Sequence, residues 1–219
     1  MPPALTRLKA IALPLLRDNI DTDELIPVSE NTRVSMSGWG DGLFASKRYL
    51  DGVGRTLDPS FILNQAPFDQ AGILIAGDNF GCGSSRESAV WALRDYGFRA
   101  VVATTFNETF QRNCIVNGVA PLAMSREDIE SLAADVMRDP WREVCLDLNS
   151  GMLFRDGTAD PGQAFAFRLD PFYCTLLTTG QTEDDLLETL RDAIDRRRDS
   201  LVSAAPWLRS GVLRKAEPE

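Results

Sequence analysis

The 219-residue chain contains no histidine. That absence removes the side chain most often used as a general base. It also excludes Ser-His-Asp and Cys-His catalysis and every imidazole metal ligand. Chemistry on this chain must use Ser, Cys, Asp, Glu, Lys, Arg or Tyr, or be completed by another chain. Cysteine is scarce: Cys82, Cys114, Cys145 and Cys174 lie far apart and form no C-x-x-C pair. Their spacing argues against a self-contained zinc or iron–sulfur site, and sparse cysteine points to a reducing cytoplasm. No run approaches the ~20 apolar residues of a membrane span. The N-terminal stretch MPPALTRLKAIALPLLRDN lacks a basic region followed by a long apolar one, so no signal peptide is expected. Basic residues are in deficit, 23 Lys and Arg against 32 Asp and Glu, for a net charge of −9. Nucleic-acid binders usually carry a basic stripe. Here the one basic run, Arg196 to Arg198, sits near the end of a predicted helix, where cations suit the helix dipole.

Elements of an ordinary soluble domain are present. LKAIAL (8–13) reads as a first strand, followed by a polar turn holding Asp18, Asp21 and Asp23, then an extended Leu25-Ile26-Pro27. Residues 28–60 are rich in Ser, Thr and Gly with little periodicity, the signature of a functional or mobile segment. AGILIAG (71–77) is a buried-type strand. Ser84-x-x-Glu87 fits a capping box opening a helix that Gly97 closes. RAVVATTF (99–106) is the next strand, Asn107 to Val116 a helix, VAPLAM a strand, and Ser125 to Arg138 an amphipathic helix stopped by Pro140. EVCLDLNSGMLFRDG reads as a hairpin, AFAFRLD (164–170) as a further strand, and Pro171 to Thr179 as a short helix. A last helix, about 182–198, carries Leu186, Leu187, Leu190 and Ile194 on one face. The alternation indicates an α/β fold with some parallel pairing. The expected organisation is one domain over 1–219, with a mobile loop over about 28–60.

The chemistry concentrates in GCGSSRE, residues 81–87, where a strand turns into a helix. It is not a Walker loop, which needs Gly-Lys, nor a dinucleotide fingerprint, which wants glycine where Arg86 stands, nor a G-x-S-x-G elbow. What remains is a helix N-terminus, the hydroxyls of Ser84 and Ser85, and the guanidinium of Arg86, a set suited to a carboxylate. A serine could act as a base there only with positive charge nearby to hold the alkoxide. The plainer reading is a capped helix with a salt-bridged arginine. Cys82 is either a thiol activated by the helix end or a small packing residue.

NIDTDELIP, NFGCGSSRE and DYGFRAVVATTFNETFQRNCIVNGVAPL, in this order and spacing, resemble the small subunits of 3-isopropylmalate dehydratase in the aconitase superfamily. The resemblance runs from about Leu8 to Leu190. It implies a swivelling β/β/α domain, a mixed sheet flanked by helices. It further implies a separate large subunit carrying a [4Fe–4S] cluster, an active site between the two chains, and dehydration and rehydration of a hydroxy dicarboxylate in leucine biosynthesis. On the matching positions it makes Ser84 the catalytic base, has Gly83, Ser85 and Arg86 bind the substrate, and gives Asp21 and Asp23 supporting roles. Two positions depart from the family pattern. Ser88 stands where histidine is common, and Met36 stands where an arginine precedes the Gly-aromatic-Gly, leaving Arg33 as the nearest cation for the substrate's variable group. The departures admit a paralogue acting on a methyl-, dimethyl- or benzylmalate. A non-catalytic dicarboxylate-binding or regulatory module is the alternative from another class.

Overall fold

A computed structural model describes residues 3–31, 38–51, 55–156 and 164–205. Two compact units make up the chain, Met1–Gly180 and Gln181–Glu219.

The first unit holds two four-stranded sheets. Strands β1 (Arg7–Ala10) and β2 (Ala12–Leu15) divide the single predicted strand at Ile11, and each half enters a different sheet. The Ile11 carbonyl accepts from Gly72 N–H at 3.0 Å and Ile73 N–H at 3.2 Å, which draws the chain into the second sheet. The two halves carry different patterns. RLKA alternates between exposed and half-buried, as in a one-sided antiparallel sheet, whereas ALPL is buried throughout, as in a covered parallel one.

The parallel sheet has the order β2-β3-β4-β5, with β3 Ile73–Ala76, β4 Ala100–Ala103 and β5 Ala120–Ala123. Its two prolines, Pro14 and Pro121, fall on the outer strands β2 and β5, where a missing N–H costs no ladder bond. The antiparallel sheet has the order β1-β6-β7-β8, with β6 Val144–Asp147, β7 Met152–Arg155 and β8 Ala164–Ala166. The strand expected over 164–170 stops at Ala166, and Arg168 instead bridges to Ala123 at the end of β5. Parallel and antiparallel pairing thus coexist, as expected, but in separate sheets.

Helix α1 (Thr22–Leu25) replaces the extended stretch read at Leu25. The turn of helix α2 (Ala45–Arg48) follows, then α3 (Glu87–Tyr96), α4 (Glu108–Val116), α5 (Arg126–Arg138) and α6 (Pro171–Thr179). Asn107 and Ser125 cap α4 and α5 through their side chains, and Gly97 closes α3. Helix α5 buries Ile129, Leu132, Ala133 and Val136 against β2, β3 and β4. The Arg155 side chain, 1% exposed, ties the hairpin to that helix, pairing with Asp135 at 3.3 Å and donating to the Asp139 carbonyl at 2.5 Å.

The expected mobile segment lies partly outside the described residues, at 32–37 and 52–54. Its described part buries Trp39, Leu43 and Phe44, and Trp39 meets Trp91 of α3 edge to face at 5.5 Å. In the second unit the predicted helix is two, α7 (Glu183–Thr189) and α8 (Arg191–Ala204). Leu190 ends one and opens the other.

Candidate active site

The carboxyl ends of β2, β3 and β4 deliver three loops to one edge of the parallel sheet, the edge at which α/β folds bind ligands. Backbone hydrogen bonds join these loops. Asn19 N–H donates to the Asp78 carbonyl at 2.8 Å, Gly81 N–H to the Ile20 carbonyl at 2.8 Å, and Phe80 N–H to the Thr105 carbonyl at 3.0 Å. Asp18 adds a side-chain stitch, accepting from Asp78 N–H at 2.7 Å and from Arg126 at 3.0 Å. These donors hold its carboxyl below the usual range, the Asp78 N–H foremost.

The GCGSSRE loop departs from the expected capping box. Helix α3 begins at Glu87, and Arg86, in extended backbone, occupies the cap position with no side-chain cap bond. Glu87 does not reach back to Ser84; its carboxylate accepts from Asn117 Nδ2 at 2.9 Å. Ser84 is therefore a loop residue, and its hydroxyl is not consumed by capping. Gly83, Ser84 and Ser85 are all exposed. Left-handed backbone at Gly81 (φ +73°) and Gly83 (φ +89°) makes the turn. At Gly81 the fold also needs the absence of a side chain, since a Cβ would lie 2.2 Å from Phe110 Cγ.

The two sequence segments singled out, NIDTDELIP and GCGSSRE, meet here. Arg86 forms an ion pair with Asp23, whose side chain is half exposed. Asp21 caps α1, accepting from Glu24 N–H at 2.7 Å, and pairs through its backbone with Cys82. Arg17 is paired with Glu24, which keeps its guanidinium pKa above the ordinary value. Burial and the nearby carboxylates of Asp21 and Glu24 push the Cys82 thiol pKa up, opposite to the activation a helix end would give. Arg33 and Met36 lie outside the described residues.

One residue of this site escaped the sequence reading. Thr22, 1% exposed, donates its hydroxyl to the Ser84 carbonyl at 2.8 Å and its backbone N–H to the Cys82 carbonyl at 2.9 Å. Its position inside the NIDTD motif is the only signal that could have marked it.

The arrangement presents two exposed serines beside a guanidinium tethered to Asp23, with Asp21 bridged to the same loop at Cys82. Among the described residues no three His, Cys, Asp or Glu side chains gather as a metal-binding group. The four cysteines are free and dispersed, and Cys114 is buried, so these donors do not fit an iron–sulfur cluster.

Comparison with known proteins identifies the family. The family model for the aconitase C-terminal domain matches residues 2–127. The 3-isopropylmalate dehydratase small subunit of Cupriavidus necator is 41% identical over 201 residues, covering 91% of this chain and 95% of that protein. The small subunit of Roseobacter denitrificans is 39% identical over 203 residues, covering 93% and 98% respectively. The crystal structure of 3-isopropylmalate dehydratase from Methanocaldococcus jannaschii has the same fold, with a TM-score of 0.60 at 24% identity, covering 88% of this chain and 99% of that one. The chain thus belongs to the family of 3-isopropylmalate dehydratase small subunits, built on the aconitase C-terminal domain.

Proposed function

We propose that this chain is the small subunit of a cytoplasmic hydro-lyase that interconverts 2-isopropylmalate and 3-isopropylmalate by dehydration and rehydration, in leucine biosynthesis. One observation carries the reading: in a chain of this family, Ser84 and Ser85 stand exposed beside an Arg86 held by Asp23, at the carboxyl edge of the parallel sheet. In this reading Ser84 takes the proton next to a substrate carboxylate. Arg86 binds the carboxylate, which its five N–H donors allow without release of Asp23. Ser85 and the Gly83 backbone complete the anion contacts, Arg33 meets the variable group of the substrate, and Asp21 and Asp23 fix the loop.

The electrostatics imply a second chain. A serine hydroxyl loses its proton only where positive charge holds the alkoxide. Here Arg17 offsets Glu24, and the two remaining acids, Asp21 and Asp23, outnumber Arg86. The missing positive charge comes with a large iron–sulfur subunit in this proposal. In this proposal the [4Fe–4S] group sits on that partner, a reading supported by a cysteine set here that does not fit a cluster, and the role of this chain is to bind the carboxylate and move the proton.

Ser84→Ala in the anaerobically assembled heteromer tests the proposal. Turnover is expected to fall by roughly 10²–10⁴-fold, with assembly intact. Unchanged turnover would place the base elsewhere. A non-catalytic module would bind a dicarboxylate and turn over nothing in any pairing.

A further inference from the structure

The geometry points to Thr22 as the positioning residue for Ser84, an inference that rests on the reading of Ser84 as the base. Thr22 spans Gly83. Its N–H holds the carbonyl of Cys82 at 2.9 Å on one side, and its hydroxyl holds the carbonyl of Ser84 at 2.8 Å on the other. Gly83 itself, in left-handed backbone, comes against Thr22, whose Oγ1 would lie 3.5 Å from a Cβ placed there. The loop is most easily deformed at a glycine, and this is the glycine that Thr22 brackets.

The second consequence concerns charge. The Ser84 carbonyl accepts twice, from Thr22 Oγ1 and from Arg86 N–H, each at 2.8 Å. A carbonyl oxygen has two lone pairs, so both are spent inside the protein. The partial negative charge of that oxygen is drawn toward the buried Thr22 while the serine residue stays exposed. An anionic substrate beside Ser84 then meets the hydroxyl rather than a free carbonyl. Loss of the Thr22 hydroxyl frees one lone pair and loosens the residue that must remove the proton. A misplacement of about 1 Å at such a group can cost on the order of 10²-fold in rate.

The test compares three variants in the assembled heteromer. Thr22→Val keeps the volume and the backbone clamp and removes the hydroxyl. Thr22→Ser keeps the hydroxyl. Thr22→Ala is read in place of Thr22→Val if the latter does not assemble. The expected result for Thr22→Val is a fall in kcat of about 10–100-fold with KM within about threefold, and Thr22→Ser within about threefold of wild type in both. In the Ser84→Ala background Thr22→Val is expected to cost nothing further, because it acts through Ser84. Full kcat in Thr22→Val, an equal loss in Thr22→Ser, an additive loss in the double variant, or failure of both Thr22→Val and Thr22→Ala to assemble overturns the positioning role. Retention of turnover by Ser84→Ala alone overturns instead the reading of Ser84 as base, so the two failures are distinguishable.

Discussion

Gly81 and Gly83 both adopt left-handed backbone, at φ +73° and +89°, yet the structure separates the costs of substituting them. An alanine at either site pays about 1–2 kcal/mol for that backbone. At Gly83 the added methyl meets nothing closer than 3.5 Å, so the backbone term is the whole cost. At Gly81 it would lie 2.2 Å from Phe110 Cγ and 2.7 Å from Phe110 Cβ, far inside contact distance. Phe110 cannot yield easily: it is 2% exposed and packs edge to face on Phe80 at 5.4 Å. Overpacking of this kind adds about 1–3 kcal/mol. Gly81→Ala is therefore expected to lose about 2–5 kcal/mol, against about 1–2 kcal/mol for Gly83→Ala. For a chain of this size that is a drop of roughly 4–20 °C in Tm for the first and about 2–8 °C for the second. Parallel urea and thermal unfolding of both variants measures the difference. Equal losses, or a larger loss at Gly83, would refute the claim that Phe110 is what forbids a side chain at Gly81.

Other expectations follow from the same contacts. Arg155→Ala removes a buried cation that joins β7 to Asp135 and the Asp139 carbonyl, and is expected to cost about 3 kcal/mol by urea unfolding without changing substrate KM. Because the Cys82 thiol is held above its ordinary pKa, iodoacetamide at pH 7 is expected to modify it more slowly than a free thiol, with the rate rising as pH rises. Asp21→Asn is expected to speed that reaction. Cys114, fully buried with its pKa raised by desolvation, reacts only on unfolding. The Asp18 carboxyl has a lowered pKa in the fold, so its contribution is present above the ordinary carboxylate range and is lost as pH falls through the lowered value. Asp18→Asn is expected to flatten the acid limb of the stability–pH curve.

The parallel half of the fold was legible because its signals are local. Buried strands are unbroken apolar runs, and Asn107, Ser125 and Gly97 sit where helix ends need them. The split of the first strand was not legible, because Ile11 interrupts no apolar pattern; only its bonds to Gly72 and Ile73 show that the chain changes sheets. The capping box at Ser84 failed for a similar reason. Its spacing is right, but Thr22 and Arg86 engage the Ser84 carbonyl and Asn117 engages Glu87. Ser84, Ser85 and Arg86 were recognisable from the motif, and the pairing of Arg86 with Asp23 follows from the meeting of the two motifs. Thr22 was hidden because its acceptor lies 62 residues away and a threonine in a polar turn has no periodicity to betray it.

The central claim is that this chain supplies half of a hydro-lyase site, and reconstituted turnover tests it most directly. The chain is mixed anaerobically with the iron–sulfur large subunit proposed as its partner, and the unsaturated intermediate is followed with 2-isopropylmalate and with methyl-, dimethyl- and benzylmalate. The account predicts that neither subunit alone turns over, that the mixture does, and that isopropylmalate is preferred. Preference for another malate would assign the chain to a paralogous enzyme with residues 28–40 setting specificity, and no turnover on any malate would contradict the catalytic reading.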